Sequence, residues 1–337
     1  MHYLSPNTIA CGKAEDLMKR VPKQSVALSI WSPPYNIGKE YESGQSYPQW
    51  MEMMNSIIHQ HKRILKDGGF MVVNINDMLF FEDKKMPPYH HENPSHQTSG
   101  VYKNMVQRMA DEHPEYSIRQ IARELGISHQ TALRRLDRVQ SDHNENRTRI
   151  ELVGGFIQEC AMQSGLYLYD RRIWKKDPAW NNSKWVNWSY RAVDEFEYLY
   201  IFWKPAKIEV KRSRLASEEW EQWGSRGVWE IPSVHKNDIH EAMFPVELPR
   251  RLIKLFSDVN DIVLDPFVGS GSTAIAAKHL CRRYIGFDKS QEYVALTLNA
   301  LKHTKAADKE SKEYNDMRVT EIDVDLRRRL KEKNVSL

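Results

Sequence analysis

Short, uninterrupted apolar runs recur along the chain at Val26–Trp31, Phe70–Ile75, Tyr198–Trp203, Ile262–Leu264 and Tyr284–Phe287. Runs without polar alternation read as strands covered on both faces, which is the habit of a parallel sheet. Between Trp50 and Leu65 the period changes: Met51, Met54, Ile57, Ile58, His61 and Leu65 fall at three-to-four spacing, so a helix is predicted there. Lys66, Asp67, Gly68 and Gly69 follow it as a C-terminal stop. Leu248–Phe256 and Thr273–Leu280 carry the same helical period. Strands alternating with helices predict an α/β architecture around a mostly parallel sheet.

Two regions break this rhythm. Glu82–Ser99 is polar and rich in Pro and His, which predicts a long loop, and Tyr116–Val139 after it predicts a compact helical unit. Ala206–Arg226 reads as a small variable element, and the chain after His303 as a charged helical tail of nearly balanced sign. The full length of 337 residues fits roughly two domains, or one large domain with insertions. Apolar residues at 41% and charged residues at 28% exclude a chain disordered throughout. No stretch approaches the roughly 18 uninterrupted apolar residues of a membrane span, and the first twenty or so residues lack the pattern of a secretory signal. A cytoplasmic protein without a membrane partner is expected. Cys11, Cys160 and Cys281 stand far apart with no ligand spacing, so neither a disulfide scaffold nor a metal site is expected.

The richest segment is Ile262-Val-Leu-Asp-Pro-Phe-Val-Gly-Ser-Gly-Ser-Thr-Ala-Ile-Ala-Ala277, a buried strand, a glycine turn and a helix start. Gly269 and Gly271 allow a ligand close to the backbone, and the helix start offers unpaired N–H groups. Asp265, Pro266, Phe267, Ser270, Ser272 and Thr273 complete this candidate binding loop. Further on, the strand Tyr284–Phe287 ends in Asp288, placed to accept hydrogen bonds from ribose hydroxyls. Together they indicate an adenosine-containing ligand; the glycine order and the lack of a following Gly-Lys-Ser/Thr disfavour dinucleotides and nucleoside triphosphates. A second segment, Ser32-Pro33-Pro34-Tyr35, leaves the strand Val26–Trp31 where α/β sheets put their ligands. The prolines stiffen the turn and fix its acceptors, and Tyr35 offers a flat face to a planar base.

Net charge is only +4, from 49 basic and 45 acidic residues, so its distribution matters more than its sum. Between Asp170 and Arg191, Arg171, Arg172, Lys175, Lys176, Lys184 and Arg191 are interleaved with Trp174, Trp180, Trp185 and Trp188, a mixture suited to a phosphate backbone. Lys175 and Lys176 are its candidate DNA contacts. In Ser117–Leu136, Gly126 turns the chain, Ser128 caps a second helix, and Ile118, Ile121, Leu125, Ile127, Leu133 and Leu136 make a small core. The segment resembles a helix-turn-helix that presents His129, Gln130, Thr131, Arg134 and Arg135 to a DNA groove. Packing on the core and dimerisation are its alternative uses.

Ser32–Tyr35 preceding Phe267–Gly271 resembles the β-class, circularly permuted amino-methyltransferases of DNA. Asn7–Gly12, Leu65–Asn74, Phe196–Pro205 and His240-Glu-Ala-Met-Phe-Pro245 are similar to further family segments. The resemblance implies a Rossmann-like sheet of seven mostly parallel strands, with the helix-turn-helix inserted, and S-adenosylmethionine as cofactor. It implies that His240, Phe244 and Pro245 flank the cofactor's methionine end. The resulting domain plan is a catalytic half at 1–81 and 151–205 interrupted by an insert at 82–150. A short target-recognition element follows at 206–230, then a cofactor half at 231–303 and a tail at 304–337. Ser rather than Asp at position 32 resembles members that methylate N4 of a flipped cytosine in double-stranded DNA; adenine N6 is the alternative. A DNA-binding regulator on an inactive methylase fold is the reading from another class. A companion restriction endonuclease, and a monomer or homodimer, are expected by analogy with the family.

Overall fold

The computed structural model describes residues 2–34, 46–80, 85–86, 103–133, 149–178, 192–208, 210–233 and 244–306. In chain order the strands are β1 (Thr8–Cys11), β2 (Val26–Trp31), β3 (Leu65–Ile75), β4 (Met78–Phe80), β5 (Arg149–Glu151), β6 (Tyr167–Lys175), β7 (Phe196–Trp203), β8 (Val228–Glu230), β9 (Ile262–Asp265) and β10 (Arg283–Asp288). The helices are α1 (Ala14–Leu17), α2 (Tyr47–Ile64), α3 (Lys103–Glu112), α4 (Ile118–Glu124), α5 (129–133), α6 (Val153–Gln163), α7 (Ser217–Glu219), α8 (Glu247–Phe256), α9 (Ser272–His279) and α10 (Gln291–His303). They fall into two compact units: Met1–Met78, Leu152–Asp177 and Glu195–Leu337 form one, Leu79–Glu151 and Pro178–Asp194 the other.

The larger unit is built on an eight-stranded sheet in the order β1-β10-β9-β2-β3-β7-β6-β8. The strands from β1 to β3 run parallel, β7 is antiparallel to both β3 and β6, and β8 lies parallel to β6. The expected mostly parallel α/β sheet is present, and the short β8 adds an eighth strand to the seven expected. Alternation along β2 sorts its residues between the two covered faces. Leu28 and Ile30 join the core that includes Leu248, Leu252 and Ile253 of α8 and Ala274–Ala277 of α9. Ser29 and Trp31 instead meet His61 of α2.

Helix α2 starts where Ser46 and Gln49 form a reciprocal capping box, and it buries Trp50, Met54, Ile57, Ile58, His61 and Ile64. Its end differs from the sequence expectation. The chain passes from Ile64 directly into β3, and Lys66–Gly69 lie inside that strand. They form an irregular stretch, because Val26 pairs with Leu65 while Leu28 pairs with Phe70. Gly68 adopts φ +79° there and donates its N–H to the Lys204 carbonyl at 2.9 Å, so the glycine signal belongs to a strand bulge.

Residues 206–230, expected as a target-recognition element, are mostly exposed and anchored in the larger unit by a few buried side chains. Leu215, Trp223 and Trp229 enter its core, and buried Glu219 pairs with the Lys254 ammonium of α8 at 2.5 Å. Trp174 is also a core residue, its indole N–H donating to the Ile231 carbonyl at 2.8 Å.

In the smaller unit β4 pairs with β5. Val106 of α3, Ile121 and Ala122 of α4 and Ala132 of α5 form a separate core, with Met109, Tyr116, Ile118, Leu125 and Ile127 packed around it. Ser117 caps α4 in a capping box with Gln120, and the Ser128 hydroxyl accepts the Thr131 N–H at 3.1 Å to cap α5. Leu133 is half-buried; Leu136 lies outside the described residues.

Candidate active site

Strand register brings the distant motifs to one edge. Cys11 pairs with Asp288, Gly286 with Asp265, and Ser29 with Leu264, so Gly12, the residues after Asp288, the loop 266–271 and Ser32–Pro34 all leave the carboxyl ends of neighbouring parallel strands. From β9 the chain moves to β10 on one side, and from β2 to β3 on the other. Loops that part in this way open the crevice in which α/β sheets bind ligands. The ring centroids of Trp31, the last residue of β2, and Phe267 stand 5.8 Å apart at 46°.

The loop 266–271 is tied down group by group. Phe267 donates its N–H to Asp265 Oδ1 at 2.9 Å, and Val268 donates to the Phe287 carbonyl at 2.7 Å. Gly269 is gripped from both sides: its N–H reaches Asp288 Oδ2 at 3.1 Å, and its carbonyl accepts the Thr297 hydroxyl of α10 at 2.7 Å. Gly271 begins α9 at φ +95°, packed so closely that a Cβ would meet Thr297 Cγ2 at 2.8 Å. The Thr273 hydroxyl donates to Asp265 Oδ2 at 2.7 Å, and Ser272 donates to the Phe244 carbonyl at 2.9 Å. Asp265, Ser272 and Thr273 are buried, so their side chains shape the loop from inside. Burial pushes the Asp265 carboxyl up to about 7, with the nearby Asp288 charge adding to the shift.

Phe267, Ser270 and Asp288 are half-buried on the same loop edge. Burial raises the Asp288 carboxyl from its ordinary value, against the lowering effect of the amides of Ser290, at 2.8 Å, and Gly269. Each Asp288 oxygen accepts one of these N–H groups, which leaves acceptor capacity for a vicinal diol. A half-buried aromatic ring, fixed backbone groups and a partly desolvated carboxylate form a chemically suitable set for a sulfonium-bearing nucleoside.

The catalytic loop is held from α2. The Trp50 indole N–H donates to the Pro34 carbonyl at 2.6 Å, and Trp50 itself is fully buried. Pro33 is buried and Ser32 half-buried. Tyr35 and His240 lie outside the described residues, as do Arg134 and Arg135; Pro245 is buried and Phe244 half-buried beside α8. Beneath Ser32, the Trp31 indole stacks on His61, with ring centroids 5.8 Å apart and planes at 12°. His61 Nδ1 lies 2.8 Å from the Ile57 carbonyl and Nε2 2.9 Å from Ser29 Oγ. A carbonyl only accepts, so Nδ1 carries the proton and the Ser29 hydroxyl donates to Nε2.

Among the described residues of the expected basic and aromatic stretch, Arg172, Lys175 and Lys176 are paired within the protein. Lys176 forms a half-buried ion pair with Glu197. Lys175 meets Glu230 at 3.0 Å, and Arg172 meets Asp170 at 3.1 Å while its guanidinium lies 4.8 Å from the Trp229 ring. Lys176 is thereby committed to Glu197, whereas Lys175 stays exposed at the sheet edge; Trp180, Lys184, Trp185, Trp188 and Arg191 lie outside the described residues. His129 and Gln130 are exposed on α5, with Thr131 half-buried. Sequence reasoning missed Trp50, His61 and Thr297, which act through contacts between elements far apart in the chain. Trp31 alone carried a local signal, its place immediately before Ser32.

Comparison with known proteins agrees with this arrangement. Residues 26–299 match the N6/N4 family of DNA methylases. Type II methyltransferase M.BglI of Bacillus subtilis is 47% identical over 298 residues, covering 88% of this chain and 85% of its own. Among solved structures, TTHA0409 of Thermus thermophilus complexed with S-adenosyl-L-methionine superposes with a TM-score of 0.56 at 21% identity, covering 92% of this chain and all of its own. PvuII DNA methyltransferase, cytosine-N4-specific, superposes with a TM-score of 0.54 at 18% identity, covering 96% of this chain and 94% of its own. With the glycine loop and the Ser-Pro-Pro turn on adjacent strand ends, the chain belongs to the N6/N4 DNA methylase family and is a type II DNA amino-methyltransferase whose methyl donor is S-adenosylmethionine.

Proposed function

We propose that the chain methylates the exocyclic N4 amine of a cytosine turned out of double-stranded DNA. The observation that carries this reading is Ser32, a hydroxyl where a carboxylate accompanies adenine in the family it resembles, at the exit of β2 beside the cofactor loop. An exocyclic amine is a weak nucleophile because its lone pair is delocalised into the ring. Ser32 Oγ and the Pro33 carbonyl accept its two N–H bonds, which raises electron density on nitrogen and aims the lone pair. The Pro34 carbonyl already accepts from Trp50, which fixes the turn. Tyr35 stacks on the base, a contribution of about 1–3 kcal/mol, comparable with the cost of extruding a base from the duplex.

S-adenosylmethionine supplies an electrophilic methyl group on its sulfonium. Asp288 accepts the ribose hydroxyls, while Phe267, Gly269 and Ser270 line the bound nucleoside and His240, Phe244 and Pro245 flank the methionine end. Asp265, Pro266, Gly271, Ser272 and Thr273 hold the loop in shape. Positioning and fixed acceptors then provide most of the acceleration, with no covalent enzyme intermediate.

The second helix of the inserted unit reads the duplex through His129, Gln130, Thr131, Arg134 and Arg135, and Lys175 adds a phosphate contact. A cognate restriction endonuclease is the functional companion. Hydrolysis of DNA methylated with labelled cofactor tests the base assignment: label in N4-methylcytosine is expected, and label in N6-methyladenine overturns it.

A further inference from the structure

We propose that Trp31 is a positioning residue for methyl transfer, a flat spacer that sets the gap between the catalytic loop and the cofactor loop. The proposal rests on the reading of Ser32–Tyr35 as the catalytic loop and holds for either target base. Apart from the Phe267 and Thr273 bonds to Asp265 of its own strand, the hydrogen bonds described between other elements and the cofactor loop or the start of α9 run to β10, α10 and the segment before α8, through Phe287, Asp288, Thr297 and Phe244. The bond described for the catalytic loop runs to α2, through Trp50. Between the two, the β2–β9 ladder ends at the pair Ser29–Leu264. Past that point the Trp31–Phe267 ring contact spans the crevice.

The choice of an indole at this position carries a cost. Trp31 is 0% exposed, and its Nε1–H has no hydrogen-bond partner among the described residues. A buried donor left unsatisfied is unfavourable, a penalty that a phenyl or isobutyl side chain would avoid. Since Nε1 is inaccessible as well as unpartnered, the group is poorly placed to serve an incoming ligand. What the indole supplies is area, with one face on His61 and the ring against Phe267. His61 is itself held by Ile57 and Ser29, so the stack has a rigid floor, and Ser32 is bonded directly to the residue that rests on it.

The test uses the full chain, tritiated S-adenosylmethionine and unmodified genomic DNA, and counts total methyl transfer whichever base receives it. Trp31→Leu is expected to lower kcat by about 100-fold, the scale of a misplacement near 1 Å. The cofactor Kd from equilibrium dialysis and the KM for DNA should stay within about threefold, because the cofactor loop keeps its own tethers. Trp31→Phe, which still stacks on His61, should recover most of the lost rate. Should Trp31→Leu fail to fold, Trp31→Met, Phe267→Leu and their double variant decide the matter: a shared contact predicts a double loss well short of the product of the single losses. An unchanged kcat, a cofactor Kd that rises in step with the loss of rate, or losses that simply multiply would each overturn the proposal. Label found in adenine would revise the base assignment alone.

Discussion

The cofactor loop and the catalytic loop leave adjacent parallel strands, yet the two are secured very differently. Gly269 is fixed at both its N–H and its carbonyl, and Asp265 binds the loop at Phe267 and the helix start at Thr273. Ser32–Pro34 has two rigid prolines and the Trp50 bond to one carbonyl. A cradle tied at every turn is preformed, and binding to it loses little to ordering. The described bond of the Ser-Pro-Pro turn runs to the helix beneath it, so the supports on that side control rate more than affinity.

That contrast is broken most directly at the amine acceptor. Ser32→Ala should lower kcat by about 10²–10³-fold while cofactor Kd, measured by dialysis, stays unchanged; a parallel loss of cofactor affinity would merge the two loops into one functional unit. Next in size is a pH effect beneath the catalytic loop. Burial pushes the His61 imidazole down to about 4 from 6.5. As pH falls through 6.5 the unfolded chain takes up a proton that the folded chain refuses until about 4, so stability is lost across that window, by up to about 3 kcal/mol. Urea midpoints at pH 7 and pH 4.5 should show this loss in the native chain and a smaller one in His61→Phe; equal losses would remove His61 as the cause.

On the cofactor side, Thr297→Val leaves the Gly269 carbonyl without its donor and should raise the cofactor Kd about tenfold, with Thr297→Ser close to native. An unaffected Kd in Thr297→Val would mean that the loop keeps its shape without α10. The smallest effect belongs to Trp50→Phe, which removes one N–H bond to Pro34 and should reduce kcat severalfold, about 1 kcal/mol, with cofactor binding intact. A larger effect on binding than on rate would reverse the contrast.

Much of the sheet was legible because continuous apolar runs report burial on both faces, and β2 keeps the bounds read from Val26–Trp31. The glycine loop was legible too, since strand, turn and helix stand in one continuous segment. Lys66–Gly69 misled because a glycine with positive φ serves a strand bulge as well as a helix end, and burial of Leu65 opposite Val26 decided between them. Lys176 looked available for phosphate because its partner, Glu197, sits on a different strand. Thr297 gave no signal at all, because a hydroxyl that matters through a carbonyl on another element leaves no local pattern.

The pairing of Ser29 with Leu264 joins residues far apart in the sequence. During synthesis β2 emerges long before β9, so the crevice between them cannot exist on a nascent chain until β9 too has left the ribosome. Such distant pairings also slow folding. A copy truncated before β9 therefore lacks the crevice, whatever the state of its first half.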